Sequence, residues 1–284
     1  MSGPVRITVE GSRALPIAAD HWPASDRPPV ILLHGGGQTR HAWGETGRAL
    51  AARGYEVIAM DLRGHGDSGW ATDRDYSFDA YRDDLAAVQA YLGRPAILIG
   101  ASLGGIAALL AAGEGDPALV KALVLVDITH RPSPDGASKI QAFMRGGRDG
   151  FDTLDDAVDA VAAYLPHRRR PRDPSGLLKN LRERDGRLHW HWDPQFLETA
   201  ANDRGRMDGR LDRAAAAVTA PTLLVRGSLS DIVTPEDAEA FREVVPHAEF
   251  VEVAGAAHMV AGDDNTAFGE ALMGFLARAA PIIY

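Results

Sequence analysis

The sequence predicts an α/β fold: a mostly parallel sheet flanked by helices, with an inserted helical segment. Three observations predict it. Short continuous apolar runs such as Val30-Ile31-Leu32-Leu33 have the signature of strands buried on both faces. Along residues 1–127 these runs alternate with helical patterns, the rhythm of βαβ crossovers. The rhythm stops at Ile128 and resumes at Pro221, so one α/β unit is interrupted rather than followed by another.

Taken in order, Val5-Arg6-Ile7-Thr8-Val9 alternates apolar and polar residues like a half-buried strand, and Pro16 to Trp22 can pair with it. Pro28-Pro29 punctuates the chain before the Val30 strand. A helix over Ala42 to Ala52 stops at Gly54, and a strand from Tyr55 to Met60 follows. Ser77 is a good N-cap for a helix from Phe78 to Leu92, on which Tyr81, Leu85, Val88 and Leu92 recur at helical spacing. The next strand begins at Ala96 and the next helix runs from Ile106 to Ala112. A strand ending at Asp127 closes the first half. From His130 to about Arg213 the sequence has helical patterns, among them Thr153 to Tyr164 and Asp193 to Ala201, joined by proline- and arginine-rich stretches. Then come a strand at Pro221 to Arg226, a helix from Pro235 to Val245 with Thr234 as N-cap, a strand at Glu249 to Val253 and a closing helix from Thr266 to Ala279. The expected division is a core of 1–127 and 215–284 with a helical cap of 128–214.

The 284 residues are 45% hydrophobic and 24% charged, enough for a large core. The net charge of -9 and the lack of a dominant basic stripe argue against nucleic acid as the main partner. Arg168-Arg169-Arg170, beside Pro166 and Pro171, reads as a solvated loop. With no cysteine, disulfides, thiolate metal sites and a cysteine nucleophile are excluded. Neither a signal-peptide pattern at Met1 to Gly11 nor an apolar run of membrane-spanning length is visible. The expectation is a cytoplasmic protein with no membrane partner. Nothing in the sequence addresses oligomeric state.

The chemistry collects at Gly100-Ala101-Ser102-Leu103-Gly104-Gly105, a strand–turn–helix junction with a serine at its apex. The turn is tight enough to require small residues two before and two after the serine, and Gly100 and Gly104 supply them. Other reactive residues fall at the ends of the other strands: His34-Gly35-Gly36-Gly37, Asp61 to Ser68, Arg226 to Asp231 and Gly255 to His258. Ligands bind at that carboxyl edge of an open parallel sheet. A serine hydroxyl needs a base within reach, and the base needs an orienting acceptor. His258 and Asp231 fit those roles in the chain order serine, acid, histidine. Asp127 is the rival acid. Asp231 is preferred because its loop is longer and the order fits.

With these motifs in place, the sequence resembles the α/β-hydrolase superfamily. The resemblance rests on His34-Gly35, Asp61-x-Arg63-Gly64-His65-Gly66-x-Ser68, Gly100-x-Ser102-x-Gly104, Gly227-x-x-x-Asp231 and Gly255-x-x-His258. It extends to the capped branch that holds esterases, lactonases, carbon–carbon bond hydrolases and cofactor-free haloperoxidases. Epoxide hydrolases and haloalkane dehalogenases of that branch use an aspartate nucleophile, and Ser102 disfavours both activities. The resemblance implies that the insertion is a lid over the active site. It also implies an oxyanion hole made by the backbone N–H groups of Leu103 and Gly36.

The insertion is rich in aromatic residues, and Trp190, Trp192, Phe143 and Tyr164 are expected to line a mainly apolar substrate pocket. His189-Trp190-His191 lacks an evident third ligand and reads as pocket wall or lid packing rather than a metal site. His65 reads as a structural turn residue and Trp43 as core packing. The reading at this level is a serine hydrolase of a small-molecule carboxylic ester or lactone, working without metal or organic cofactor. Carbon–carbon bond hydrolysis of a vinylogous diketone and perhydrolysis remain as enzymatic alternatives. A ligand-binding receptor on a hydrolase fold is an alternative of another class.

Overall fold

The computed structural model describes residues 3–24, 27–164, 173–198, 209–256 and 266–280. Eight strands form one sheet: β1 (Val5–Glu10), β2 (Pro16–Trp22), β3 (Val30–Leu33), β4 (Val57–Met60), β5 (Ala96–Ala101), β6 (Val120–Val126), β9 (Thr222–Gly227) and β10 (Glu249–Val253). Their spatial order is β1-β2-β4-β3-β5-β6-β9-β10. β2 runs antiparallel to both neighbours, and the pairs from β4 onward are parallel. In β3 all four residues are buried, Ile31 and Leu33 toward one face and Val30 and Leu32 toward the other. This is why the run is continuous instead of alternating.

Helices cover both faces. α1 (Gly44–Ala51) and α8 (Thr266–Ala279) lie on one, with Trp43 and Phe268 ring centroids 6.3 Å apart between them. α2 (Phe78–Leu92), α3 (Leu103–Glu114), α6 (Arg210–Ala217) and α7 (Pro235–Val244) lie on the other. Local signals set their ends. Ser77 accepts from the Ala80 N–H at the start of α2, Gly93 at φ 65° ends it, and Thr234 and Asp237 form a capping box on α7.

The insertion holds α4 (Pro134–Gly146), α5 (Leu154–Tyr164) and residues 195–198 of a further helical stretch. The helical character expected for residues 128–214 is only partly met. β7 (Leu181–Arg184) and β8 (Arg187–Trp190) form an antiparallel hairpin. Its two-residue turn is Asp185-Gly186, with φ of 54° and 75°. Positive φ at both positions matches the twist of the flanking strands, and Asp-Gly is a strong hairpin signal. The expected boundary at 214/215 passes through α6, whose Ala214 packs so closely on α3 that a side chain at Gly113 would collide with its backbone. No described helix is long and apolar enough to cross a membrane.

Candidate active site

Ser102 sits between β5 and α3 with φ 47° and ψ -115°, a strained conformation for a residue with a side chain. The glycines around it are needed for close approach. A Cβ at Gly100 would collide with the Gly104 carbonyl, and one at Gly104 would lie 2.6 Å from the carbonyl oxygens of Leu33 and His34. The Ser102 N–H donates to Val126 O at 3.2 Å and the Gly104 N–H to His34 O at 3.2 Å. The Leu103 N–H between them has no partner among the described residues.

The loop after β3 repeats this arrangement. The Gly35 N–H donates to Gln38 Oε1 at 2.9 Å, and the Gly37 N–H donates to His65 Nε2 at 3.1 Å. Between them the Gly36 N–H has no described partner. Gly36 adjoins Leu103, since a Cβ on it would lie 3.8 Å from Leu103 Cδ2. Two neighbouring loops thus engage the amides on either side and leave Gly36 and Leu103 available.

Two buried histidines hold this floor. His65 Nδ1 donates to Arg63 O at 3.0 Å, which leaves Nε2 as the acceptor for Gly37. His34 Nδ1 donates to Gly35 O at 2.8 Å, and its Nε2 accepts the Leu62 N–H at 3.0 Å. Burial pushes His34 down to about 4. Burial, helped by the neighbouring His34, pushes His65 down to about 3. Both are therefore neutral near pH 7, as those bonds require. Below them Arg63 makes a two-pronged bond to Asp84, at 2.6 and 2.8 Å, and Arg40 pairs with Asp61. The Asp61–Ser68 turn is thus a support for the loop at Gly36, a role that its motif alone did not reveal.

The two candidate acids differ in setting. Asp127 is fully buried with φ 51°, and its carboxylate accepts the Gly227 N–H at 3.1 Å and the Ser230 hydroxyl at 2.5 Å. Ser230 Oγ in turn accepts the N–H groups of Ile232 and Val233, each at 3.1 Å. Asp127 thereby pins the loop that carries Asp231. Asp231 itself is exposed, and its Oδ2 lies 3.1 Å from Lys139 Nζ on α4. Its charge reaches Tyr164, whose hydroxyl burial and Asp231 together push up to about 12. Asp231 does not line the cavity over Ser102. His258 lies outside the described residues, as do Arg168, Arg169 and Arg170.

That cavity has a volume of about 890 Å³. Ser102, Gly36 and Leu103 form its floor, and Phe143, Tyr164, Trp190 and Trp192 all line it. The four aromatic side chains form a continuous wall. Tyr164 stacks on Phe143 with centroids 4.4 Å apart, Phe143 tilts against Trp190 at 5.7 Å, and Trp190 stacks on Trp192 at 5.0 Å. Two further residues not singled out in the sequence join the wall: Met144, which with Trp192 closes over Gly37, and Phe196, whose ring lies 4.7 Å from His65. A seam of hydrogen bonds between residues 191–193 and the segment 64–76 holds this wall. The Gly66 N–H donates to His191 O at 3.0 Å, the Asp193 N–H to Gly64 O at 2.8 Å, and the Tyr76 hydroxyl to Asp193 at 2.5 Å. His191 belongs to that seam, with Nε2 accepting from Arg182 at 3.0 Å.

A strained serine at a strand–helix turn lies beside two available amides and under an apolar cavity lined in part by residues from 130–197. The α/β-hydrolase fold model matches residues 28–264, and the chain belongs to that family. It is 34% identical over 278 residues to esterase Rv0045c of Mycobacterium tuberculosis, covering 94% of this chain and 89% of that one. It is 30% identical over 258 residues to the mouse sn-1-specific diacylglycerol lipase ABHD11, covering 88% and 81%. In fold it is similar to E-2-(acetamidomethylene)succinate hydrolase, with a TM-score of 0.84, 24% identity and coverage of 96% and 99%. The protein is an enzyme of the hydrolase class.

Proposed function

We propose that the protein is a serine hydrolase that cleaves a carboxylic ester or lactone through an acyl-enzyme intermediate. The observation that carries this reading is the pair of available amides, Gly36 and Leu103, on adjoining loops at Ser102. Hydrogen-bond donors preorganised in this way stabilise the oxyanion that develops in the transition state. The esterase and lipase names of the relatives that span most of the chain agree with it.

In this reading His258 takes the proton of the Ser102 hydroxyl as its oxygen attacks the carbonyl carbon. Asp231 orients the imidazole and stabilises its charged form. The tetrahedral oxyanion accepts hydrogen bonds from the Gly36 and Leu103 N–H groups. Its collapse expels the alcohol, which takes the proton from His258. Water then attacks the acyl-enzyme with the same histidine as base, releasing the acid and restoring Ser102. Residues 128–214 act as the cap, and Trp190, Trp192, Phe143 and Tyr164 contact the substrate. No step calls for a metal or organic cofactor.

The test is turnover of p-nitrophenyl esters by wild type and by Ser102→Ala and His258→Ala. Wild-type hydrolysis with an initial burst is expected, together with a loss in kcat of about 10⁴- to 10⁶-fold in each variant at unchanged melting temperature. A folded Ser102→Ala protein with wild-type activity would overturn the reading.

A further inference from the structure

Resting on the serine-hydrolase reading, we propose that the cavity selects esters whose larger group is uncharged and apolar, and that it rejects a second carboxylate on that group. The volume of about 890 Å³ is far more than an acetyl group needs. Its wall is the ring series Tyr164, Phe143, Trp190 and Trp192. The carbon surface of these rings suits alkyl and aryl groups and offers a carboxylate no charge to pair with.

Among the described lining residues the formally charged ones are Arg131 and Asp212. They hold each other, with Asp212 Oδ1 2.7 Å from Arg131 Nε and 2.5 Å from Nη2. His130 has a fully buried ring 3.7 Å from the same carboxylate, and burial lowers its pKa. A carboxylate entering this cavity would lose its water without gaining an unengaged cation from these residues. An amide or an alkyl chain would lose far less.

Matched substrate pairs test the proposal on both sides of the ester. One pair is p-nitrophenyl hexanoate and mono-p-nitrophenyl adipate. The other is phenyl acetate and 4-carboxyphenyl acetate. In at least one pair the uncharged member is expected to have a kcat/KM about 100-fold higher, equal to about 2.7 kcal/mol. Equal values in both pairs, or preference for the carboxylate in either, would overturn the proposal while hydrolysis itself still stood. Failure to cleave any of the four would overturn the hydrolase reading and the proposal with it. Asp212→Asn releases Arg131 and is expected to narrow the charged-to-uncharged gap about 10-fold. An unchanged gap would contradict the neutralisation argument.

Discussion

The floor and the roof of the cavity are held by different forces. The floor is backbone, glycine and buried polar side chains, each fixed by directed hydrogen bonds: Ser102 to Val126, Gly37 to His65, Asp127 to Ser230. The roof is ring on ring, held in part along a seam at Gly64, Gly66 and Tyr76. Directed bonds fix an atom to within a fraction of an ångström, as reacting groups require. Stacked rings fill space and tolerate exchange, so in the proposed reading substrate preference is assigned to them. Changes in the floor are therefore expected to reduce kcat, and changes in the roof to redistribute preference.

The largest separation is expected between the two acids. Asp231→Asn should lower kcat by about 10⁴-fold with little loss of stability, the cost of leaving a catalytic histidine in the wrong tautomer. Asp127→Asn should instead lower stability by about 1–3 kcal/mol through the loosened Ser230 loop, with a smaller loss of kcat. Kinetics and urea melts on both variants decide this, and the reverse pattern would exchange the two roles. Next, His65→Phe removes the acceptor for the Gly37 N–H. A fall in kcat of about 10-fold at nearly constant KM is expected, because the loop that carries the proposed oxyanion donor Gly36 loses one of its supports.

The floor also predicts a pH dependence of folding. His34 and His65 have pKa values lowered to about 4 and about 3, so the unfolded chain binds their protons first. Their contribution is complete above about pH 6.5. It is lost on acidification below that, at about 1.4 kcal/mol per pH unit for each histidine, until the folded values are reached. Urea melts from pH 7.5 to 5 should show stability falling with pH, with a shallower fall in His65→Phe, while His130, lowered by burial as well, keeps part of the slope. A flat profile would contradict the neutral, bonded state of both rings.

Roof changes should be gentler. Trp192→Ala opens the wall beside Gly37 and should shift the preferred acyl length upward by a few carbons, with acetate turnover within about 3-fold of wild type. An unaltered length profile would show that the wall does not set preference. The smallest effect is expected at the rim of the cap. The Arg187–Asp152 pair, 2.7 Å apart but exposed, should contribute no more than about 1 kcal/mol, readable as a small shift in melting temperature for Arg187→Ala.

The same division explains what was legible in the sequence. The core strands were readable because both faces of β3, β5 and β6 are buried, so apolar runs have no competing explanation. Gly100 and Gly104 were readable because close approach admits no other residue. The hairpin at Asp185-Gly186 was missed although its turn signal was present. Its strands are short and arginine-rich, and half-exposed segments lack an apolar run. Burial of His65 and its bond to the Gly37 amide join residues 28 positions apart, and nothing in local spacing encodes such a contact. The Tyr76–Asp193 bond across the seam joins residues 117 positions apart, which local sequence patterns do not encode.

The most direct measurement is covalent labelling with an uncharged alkyl fluorophosphonate, followed by intact and peptide mass spectrometry. The serine-hydrolase account predicts one adduct per chain, on Ser102, absent in Ser102→Ala and strongly slowed in His258→Ala. No adduct on a folded protein, or an adduct on another residue that persists in Ser102→Ala, would contradict it.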